Sequence, residues 1–296
     1  MNPRIRERAV VLLEAFPSES KRLLPAVVVT GAVGGLIGAG YVALMRVLID
    51  RLFPEYWSNL AHWGILLVAG VLIAVLVRLL GDPGDTELLV DNIHVSGGSD
   101  DVRKLVPLIP VSLIGIGVGG GIGPEAPLTQ TTGTVGTWVA EHFKLPRKGV
   151  RTCTITGMAA GFTVLFTTPL GGAVFALEIL HRKGLEYYEA LMPAVVGALV
   201  GYGVFTATTH WGLEPIWSFP PVPEVLRMSD LGWAVVCGVA GAIVAVTFTA
   251  VSLGFRALFR PLPPWAKPVA AAALLGAVAY VSPYALTFSE FQLMEL

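Results

Sequence analysis

The 296-residue chain is 54% hydrophobic and only 14% charged, with a mean hydropathy of +0.71. A soluble domain carries about 25% charged residues, so most of this chain is expected in lipid. A net charge of −1 excludes an electrostatically driven nucleic-acid binder.

The N-terminal stretch is polar and basic, with Arg4, Arg6, Arg8, Lys21 and Arg22. Its apolar part, Val10 to Phe16, is too short for a secretory core. Residues 1–25 are therefore predicted to be a cytoplasmic amphipathic segment, and residues 26–296 a transmembrane domain. Apolar runs follow at 26–53, 62–80, 105–121, 128–143, 150–180, 190–208, 231–259 and 268–282. A straight span needs about 20 residues. Run 128–143 is short. Run 150–180 is too long and is broken at Thr167-Thr168-Pro169-Leu170-Gly171-Gly172. Run 231–259 is long enough to cross at a steep tilt. Short and interrupted spans are how transporters and channels build sites from helix ends at mid-membrane. The fold class expected is an all-α membrane protein of tilted and broken helices.

Basic clusters lie at the N-terminus and at 144–151, 181–183 and 256–267, whereas loops 54–59 and 211–230 are acidic and tryptophan-bearing. The positive-inside rule places the N-terminus and the basic loops in the cytoplasm of a cell-membrane protein. Glycine spacings (Gly31, Gly35 and Gly38; Gly197 and Gly201; Gly238, Gly241 and Gly254) predict close helix contacts. The face carrying Ala194, Gly197, Ala198 and Gly201 is expected to meet a second subunit. Cys153 and Cys237 lie in apolar runs and are read as buried, inert thiols. Ser96-Gly97-Gly98-Ser99 reads as a solvated turn.

One segment carries chemistry. Gly123-Pro124-Glu125-Ala126-Pro127 puts a single carboxylate at the break between two apolar stretches, just after Gly117-Val118-Gly119-Gly120-Gly121. The next helix is predicted to begin near Pro127. A helix N-terminus offers unpaired N–H groups and positive dipole, a ready anion site. Glu125 can fill that site or leave it to a mobile anion. The alternative is a carboxylate that merely caps the helix. A charged side chain inside a span is a functional candidate by default. Five threonines in the following helix (Thr129, Thr131, Thr132, Thr134 and Thr137) are expected to bond to their own backbone, with one or two facing a pore. The five histidines are scattered and support no metal site. No Ser/His/Asp set converges, so the chain is not read as an enzyme.

Gly123-Pro124-Glu125-Ala126-Pro127 followed by Gln130 resembles the Gly-(Lys/Arg)-Glu-Gly-Pro-x-x-Gln segment of CLC chloride channels and proton-coupled chloride transporters. Gly157-Met158-Ala159-Ala160-Gly161-Phe162, then Thr168-Pro169-Leu170-Gly171-Gly172 through Phe175 to Glu178, extends the resemblance with matching order and spacing. The resemblance implies a CLC-like bundle, comprising the first inverted half and the start of the second, with the C-terminal part incomplete. It implies Glu125 as gate, with Gly123, Pro124 and Ala126 beside the anion. It places Asp82, Pro83 and Gly84 in the family's anion loop, where the usual serine is absent; Asp82 and Asp85 could equally cap the following helix. It sets Ile179 nearest to an inner proton-passing glutamate, with Glu178 next to it as a proton-path or structural residue, the latter through a salt bridge to the cluster at 181–183. Pro124 and Ala126 depart from the family's basic residue and glycine. The partners implied are chloride or another small anion as the transported ion, membrane lipid and a second copy of the chain in a homodimer, with no cofactor. A voltage-gated channel and a weakly proton-coupled exchanger are both compatible with this pattern. The competing readings are a membrane enzyme using Glu125 as general base and a non-conducting scaffold.

Overall fold

A computed structural model describes residues 18–52, 58–84, 86–99, 102–181, 187–211 and 227–286. Ten α-helices and no strand occur among them. They are α1 (Ser18–Leu52), α2 (Asn59–Leu80), α3 (Thr86–Val95), α4 (Leu105–Gly117), α5 (Glu125–His142), α6 (Arg147–Phe166), α7 (Pro169–Glu178), α8 (Leu191–Thr209), α9 (Met228–Phe259) and α10 (Ala266–Val281). The stretches Lys21–Leu52, Asn59–Leu80, Arg147–Phe166, Tyr188–Thr209 and Met228–Phe259 are long and apolar enough to cross a membrane. The chain is a multi-pass membrane protein. Residues 18–25 continue into α1 with Pro25 inside the helix; the rest of the predicted surface segment lies outside the described residues.

Helix lengths are uneven, as expected. The 35 residues of α1 span about 52 Å and the ten of α7 about 15 Å at 1.5 Å per residue. The hydrocarbon layer is about 30 Å thick, so α1 must tilt or emerge and α7 reaches only partway. The break in run 150–180 is local chemistry. Thr167 closes α6 in the left-handed region (φ 51°), Thr168 is extended, and Pro169 starts α7 at a position where a missing N–H costs nothing.

Lipid supplies no hydrophobic drive between helices, so close packing must hold them together. Glycine provides it along α1. A Cβ on Gly31 or Gly35 would overlap the backbone of Gly197 or Gly201 on α8, and one on Gly38 would stand 2.8 Å from Val164 on α6. Gly136 faces the Cys153 carbonyl and Gly157 the Thr132 carbonyl, joining α5 to α6 backbone to backbone. Between them Thr137 and Thr154 share a 2.7 Å hydroxyl bond. α10 packs on α2, where a Cβ on Gly70 would lie 2.7 Å from that of Ala272 and Trp63 covers Gly276.

Three expectations are corrected. The face of Ala194, Gly197, Ala198 and Gly201 is buried inside the subunit against α1 and α6, because glycine-on-glycine contact within one chain forms there. It is not free to meet a second copy. Gly238, Gly241 and Gly254 meet nothing within 4 Å, since α9 has no buried residue. Cys153 is buried as expected, but Cys237 on α9 is exposed.

Two ends of the bundle are distinguishable. At one, the start of α1 (Ala26 and Val27) packs with the end of α5 (Val139 and Ala140), Leu145 and Cys153. Arg147 donates to the Val95 carbonyl there, and Arg151 lies 4.2 Å over the Tyr187 ring, whose hydroxyl meets His94 Nδ1 at 2.8 Å. At the other end Tyr41, Val42 and Met45 of α1 gather with Leu113, Ile116, Leu128, Val164 and Phe205, and Arg46 stacks 4.1 Å over Trp211. The start of α5 belongs to this second end.

Candidate functional site: the start of helix α5

The helix begins at Glu125 itself, two residues earlier than the sequence suggests, with buried Pro124 as N-cap. Neither Pro124 nor Pro127 has an N–H, and Leu128 N–H donates to the Pro124 carbonyl at 3.1 Å. The N–H groups of Gly123, Glu125 and Ala126 are thus the donors left at this end, and no side chain at the N-cap satisfies them. Substituting proline for the family's basic residue removes a donor as well as a positive charge.

The Glu125 carboxylate folds back over Gly123. A Cβ on Gly123 would overlap Glu125 Oε2 and stand 2.6 Å from its Cδ. Glycine is therefore the residue that lets the carboxylate lie where it does. Glu125 is half-buried, Ala126 exposed and Gly123 half-buried. No described residue hydrogen-bonds to the carboxylate, so Glu125 is not a capping group tied down at its own helix end. It is an ionisable group beside N–H donors that its helix leaves unsatisfied.

Two further residues stand close by. Tyr41 of α1, 5% exposed, shares a 2.9 Å hydroxyl bond with Ser112 of α4, which donates onward to the Ile109 carbonyl at 2.9 Å. Ser112 has used its proton, so Tyr41 is the donor in the first bond and keeps a lone pair free. Its hydroxyl lies within electrostatic reach of the Glu125 carboxylate. Sequence reasoning missed this pair; the available signal was a single tyrosine and a single serine within long apolar runs.

The other predicted residues are dispersed. Asp82 is exposed, while Pro83 and Gly84 are half-buried in the turn before α3. Asp85 lies outside the described residues. The Lys104 side chain packs over Gly84. Glu178 is exposed as the last residue of α7 and accepts the His181 N–H at its carbonyl at 3.0 Å, rather than pairing with His181 through its carboxylate. Arg182 and Lys183 lie outside the described residues. Ile179 is half-buried against the apolar cluster of Leu177, Leu180 and Ala190. Thr131, Thr132 and Thr137 bond to their own helix as expected, at 2.7, 3.0 and 3.4 Å. Thr134 instead donates to Ser99 at 3.0 Å, and the Thr129 hydroxyl has no partner. The turn read as solvated is packed: Gly97 and Gly98 are buried against Arg147 and Thr137, and Ser99 N–H donates to Thr137 at 2.9 Å.

Among the described residues, five helices long and apolar enough to cross a membrane, with shorter apolar helices among them, define a multi-pass membrane protein. The chain belongs to the voltage gated chloride channel family, whose model matches residues 89–296. It is 34% identical over 222 residues to the chloride/fluoride channel protein of Pseudomonas syringae pv. tomato, covering 70% of this chain and 46% of that one. It is 27% identical over 194 residues to the H(+)/Cl(−) exchange transporter ClcA of Yersinia pestis, covering 60% and 40%. Two solved structures share the fold. A slow cyanobacterial Cl−/H+ antiporter gives a TM-score of 0.71 at 22% identity, covering 88% of this chain and 63% of that one. A CLC-type fluoride/proton antiporter gives 0.73 at 24% identity, covering 88% and 65%. The chain spans less than half the length of these curated relatives.

Proposed function

We propose that this chain carries chloride or a similar small anion across the cell membrane through a path gated by Glu125, with its N-terminus in the cytoplasm. The observation that carries the reading is the carboxylate folded over Gly123, unbonded beside the free N–H groups that start α5. Ionised, it competes with an anion for those donors. Protonated, it loses that attraction and yields the place. The related proteins named for chloride, fluoride or both support a monovalent anion without choosing between the two.

Ile179 supports weak proton coupling. An apolar side chain packed among leucines cannot relay a proton, and Glu178 at the exposed end of α7 is the adjacent carboxylate. The proposal requires no cofactor. A general-base role for Glu125 would need a nucleophile or metal ligand hydrogen-bonded to it, and no described residue hydrogen-bonds to its carboxylate. Homodimerisation belongs to the same proposal, through a surface other than the buried glycine face of α8.

The test is efflux from liposomes holding the purified chain, followed with chloride-selective and fluoride-selective electrodes. Release of either anion above protein-free vesicles supports the reading. Vesicles that stay tight to both favour the scaffold.

A further inference from the structure

The end of α9 and the start of α10 border an open groove of about 830 Å³, which shares no residue with the α5 site. Ligand sites usually measure about 300–1,000 Å³, so the groove has room for a bound molecule. Its lining changes character along its length. Phe248, Leu253, Phe255 and Phe259 form the apolar part, and Arg256 and Lys267 bring the charge. The rings of Phe255 and Phe259 lie side by side with centroids 6.0 Å apart. Phe248 stands eight residues before Arg256, about 12 Å deeper along the helix axis. Half of the hydrocarbon layer is about 15 Å thick, so the apolar wall runs through most of one leaflet. Trp265, just before α10, is 53% exposed and marks the interface level at the charged end.

The charge has one sign. No Asp or Glu occurs from Leu231 to Leu286, whereas Arg256, Arg260 and Lys267 fall close together. All three are exposed, and among the described residues none has an ion-pair partner. The turn that joins the helices is closed by Leu262 N–H on the Phe259 carbonyl at 3.1 Å and Ala266 N–H on the Pro263 carbonyl at 2.9 Å. It returns the chain so that Lys267 faces the end of α9 across the groove.

Each simpler occupant leaves part of this lining unused. A soluble anion would take the cations and ignore the phenylalanines at membrane depth. An uncharged lipid would cover the phenylalanines and leave the cations without a counter-ion. An anionic amphiphile matches both ends, in the order in which the groove presents them. Arginine suits phosphate because its planar fork meets two oxygens at once.

We propose that the α9–α10 groove binds one anionic phospholipid, its phosphate between Arg256 and Lys267 and an acyl chain along Phe255, Leu253 and Phe248. The site is distinct from the anion path and stands whether or not the chain conducts.

Native mass spectrometry of the detergent-solubilised full chain tests this, with equal amounts of dioleoyl phosphatidylglycerol and dioleoyl phosphatidylcholine offered together. The wild type should retain phosphatidylglycerol over phosphatidylcholine by about fivefold or more, the preference that one basic residue at a membrane surface supplies. The double variant Arg256→Gln/Lys267→Gln should lose that preference. Arg78→Gln, which removes an exposed cation at the end of α2, should keep it. A phosphatidylglycerol with a diazirine on its acyl chain should label the wild-type segment from Phe248 to Phe255, a readout that needs no variant to fold. Equal retention of the two lipids, or a preference that survives in the double variant, overturns the proposal. Displacement of the lipid by an equal concentration of glycerol 3-phosphate also overturns it, since the groove would then serve soluble anions. A groove that stays unlabelled because protein covers it does the same.

Discussion

The α5–α6 contact and helix α9 use the same vocabulary of small residues to opposite effect. In α5 and α6, Gly136, Gly157 and Gly161 each meet backbone or hydroxyl atoms of the other helix, and most of both helices is buried. In α9, Gly232, Gly238, Gly241 and Gly254 meet nothing, and Val236, Val239, Ile243 and Phe248 are all exposed. A glycine spacing therefore records that close approach is permitted, while a partner helix decides whether it happens. Threonine marks the difference in sequence: α5 and α6 interleave glycine with hydroxyls that bond within and across helices, whereas the two α9 threonines, Thr247 and Thr249, bond only to their own backbone.

The largest effect expected from this contrast is at Gly157. Gly157→Val drives a branched side chain into the Thr132 carbonyl and should cost about 3 kcal/mol, measured by reversible unfolding in mixed detergent. An unchanged midpoint would break the comparison. Thr154→Val removes one side of the 2.7 Å Thr137 bond and should cost about 0.6 kcal/mol, the usual size of such a bond in a membrane bundle. Gly238→Val should stay within about 0.5 kcal/mol of wild type, because the side chain enters open space. A loss comparable to that at Gly157 would mean α9 has a packing partner after all. Thiol labelling sharpens the same point without perturbing stability. In mild detergent at alkaline pH a maleimide should modify Cys237 faster than Cys153, which should react only after unfolding; equal rates for the two would break the contrast.

Much of this was legible in the residues. Every apolar run became a helix, and the Thr167–Pro169 break fell where proline and a left-handed threonine require it. Gly31 and Gly35 found glycines at the matching spacing on α8. The carboxylate of Glu125 stood out because its apolar surroundings left it without an ordinary reason to exist. What could not be read was which faces meet. The α8 glycine face is equally suited to a second subunit or to α1, and only the three-dimensional path of the chain selects α1. Ser99 looked solvated because Gly-Gly-Ser is usual in surface turns, yet Thr134 and Thr137 draw it inward. Tyr41 and Ser112 carry no motif, and their pairing depends on a neighbour 71 positions away in the chain.

The central claim is that Glu125 closes the anion path when ionised. The direct measurement is anion efflux from liposomes across a series of external pH values for wild type and Glu125→Gln, with Gly123→Ala as a second route to the same state. Wild-type efflux should rise as pH falls, since protonation removes the charge that holds the carboxylate beside the α5 donors. Glu125→Gln should be open and nearly flat with pH, and Gly123→Ala, whose Cβ displaces the carboxylate, should raise efflux at neutral pH. A folded Glu125→Gln protein that releases no anion, or that retains the wild-type pH dependence, would contradict the account.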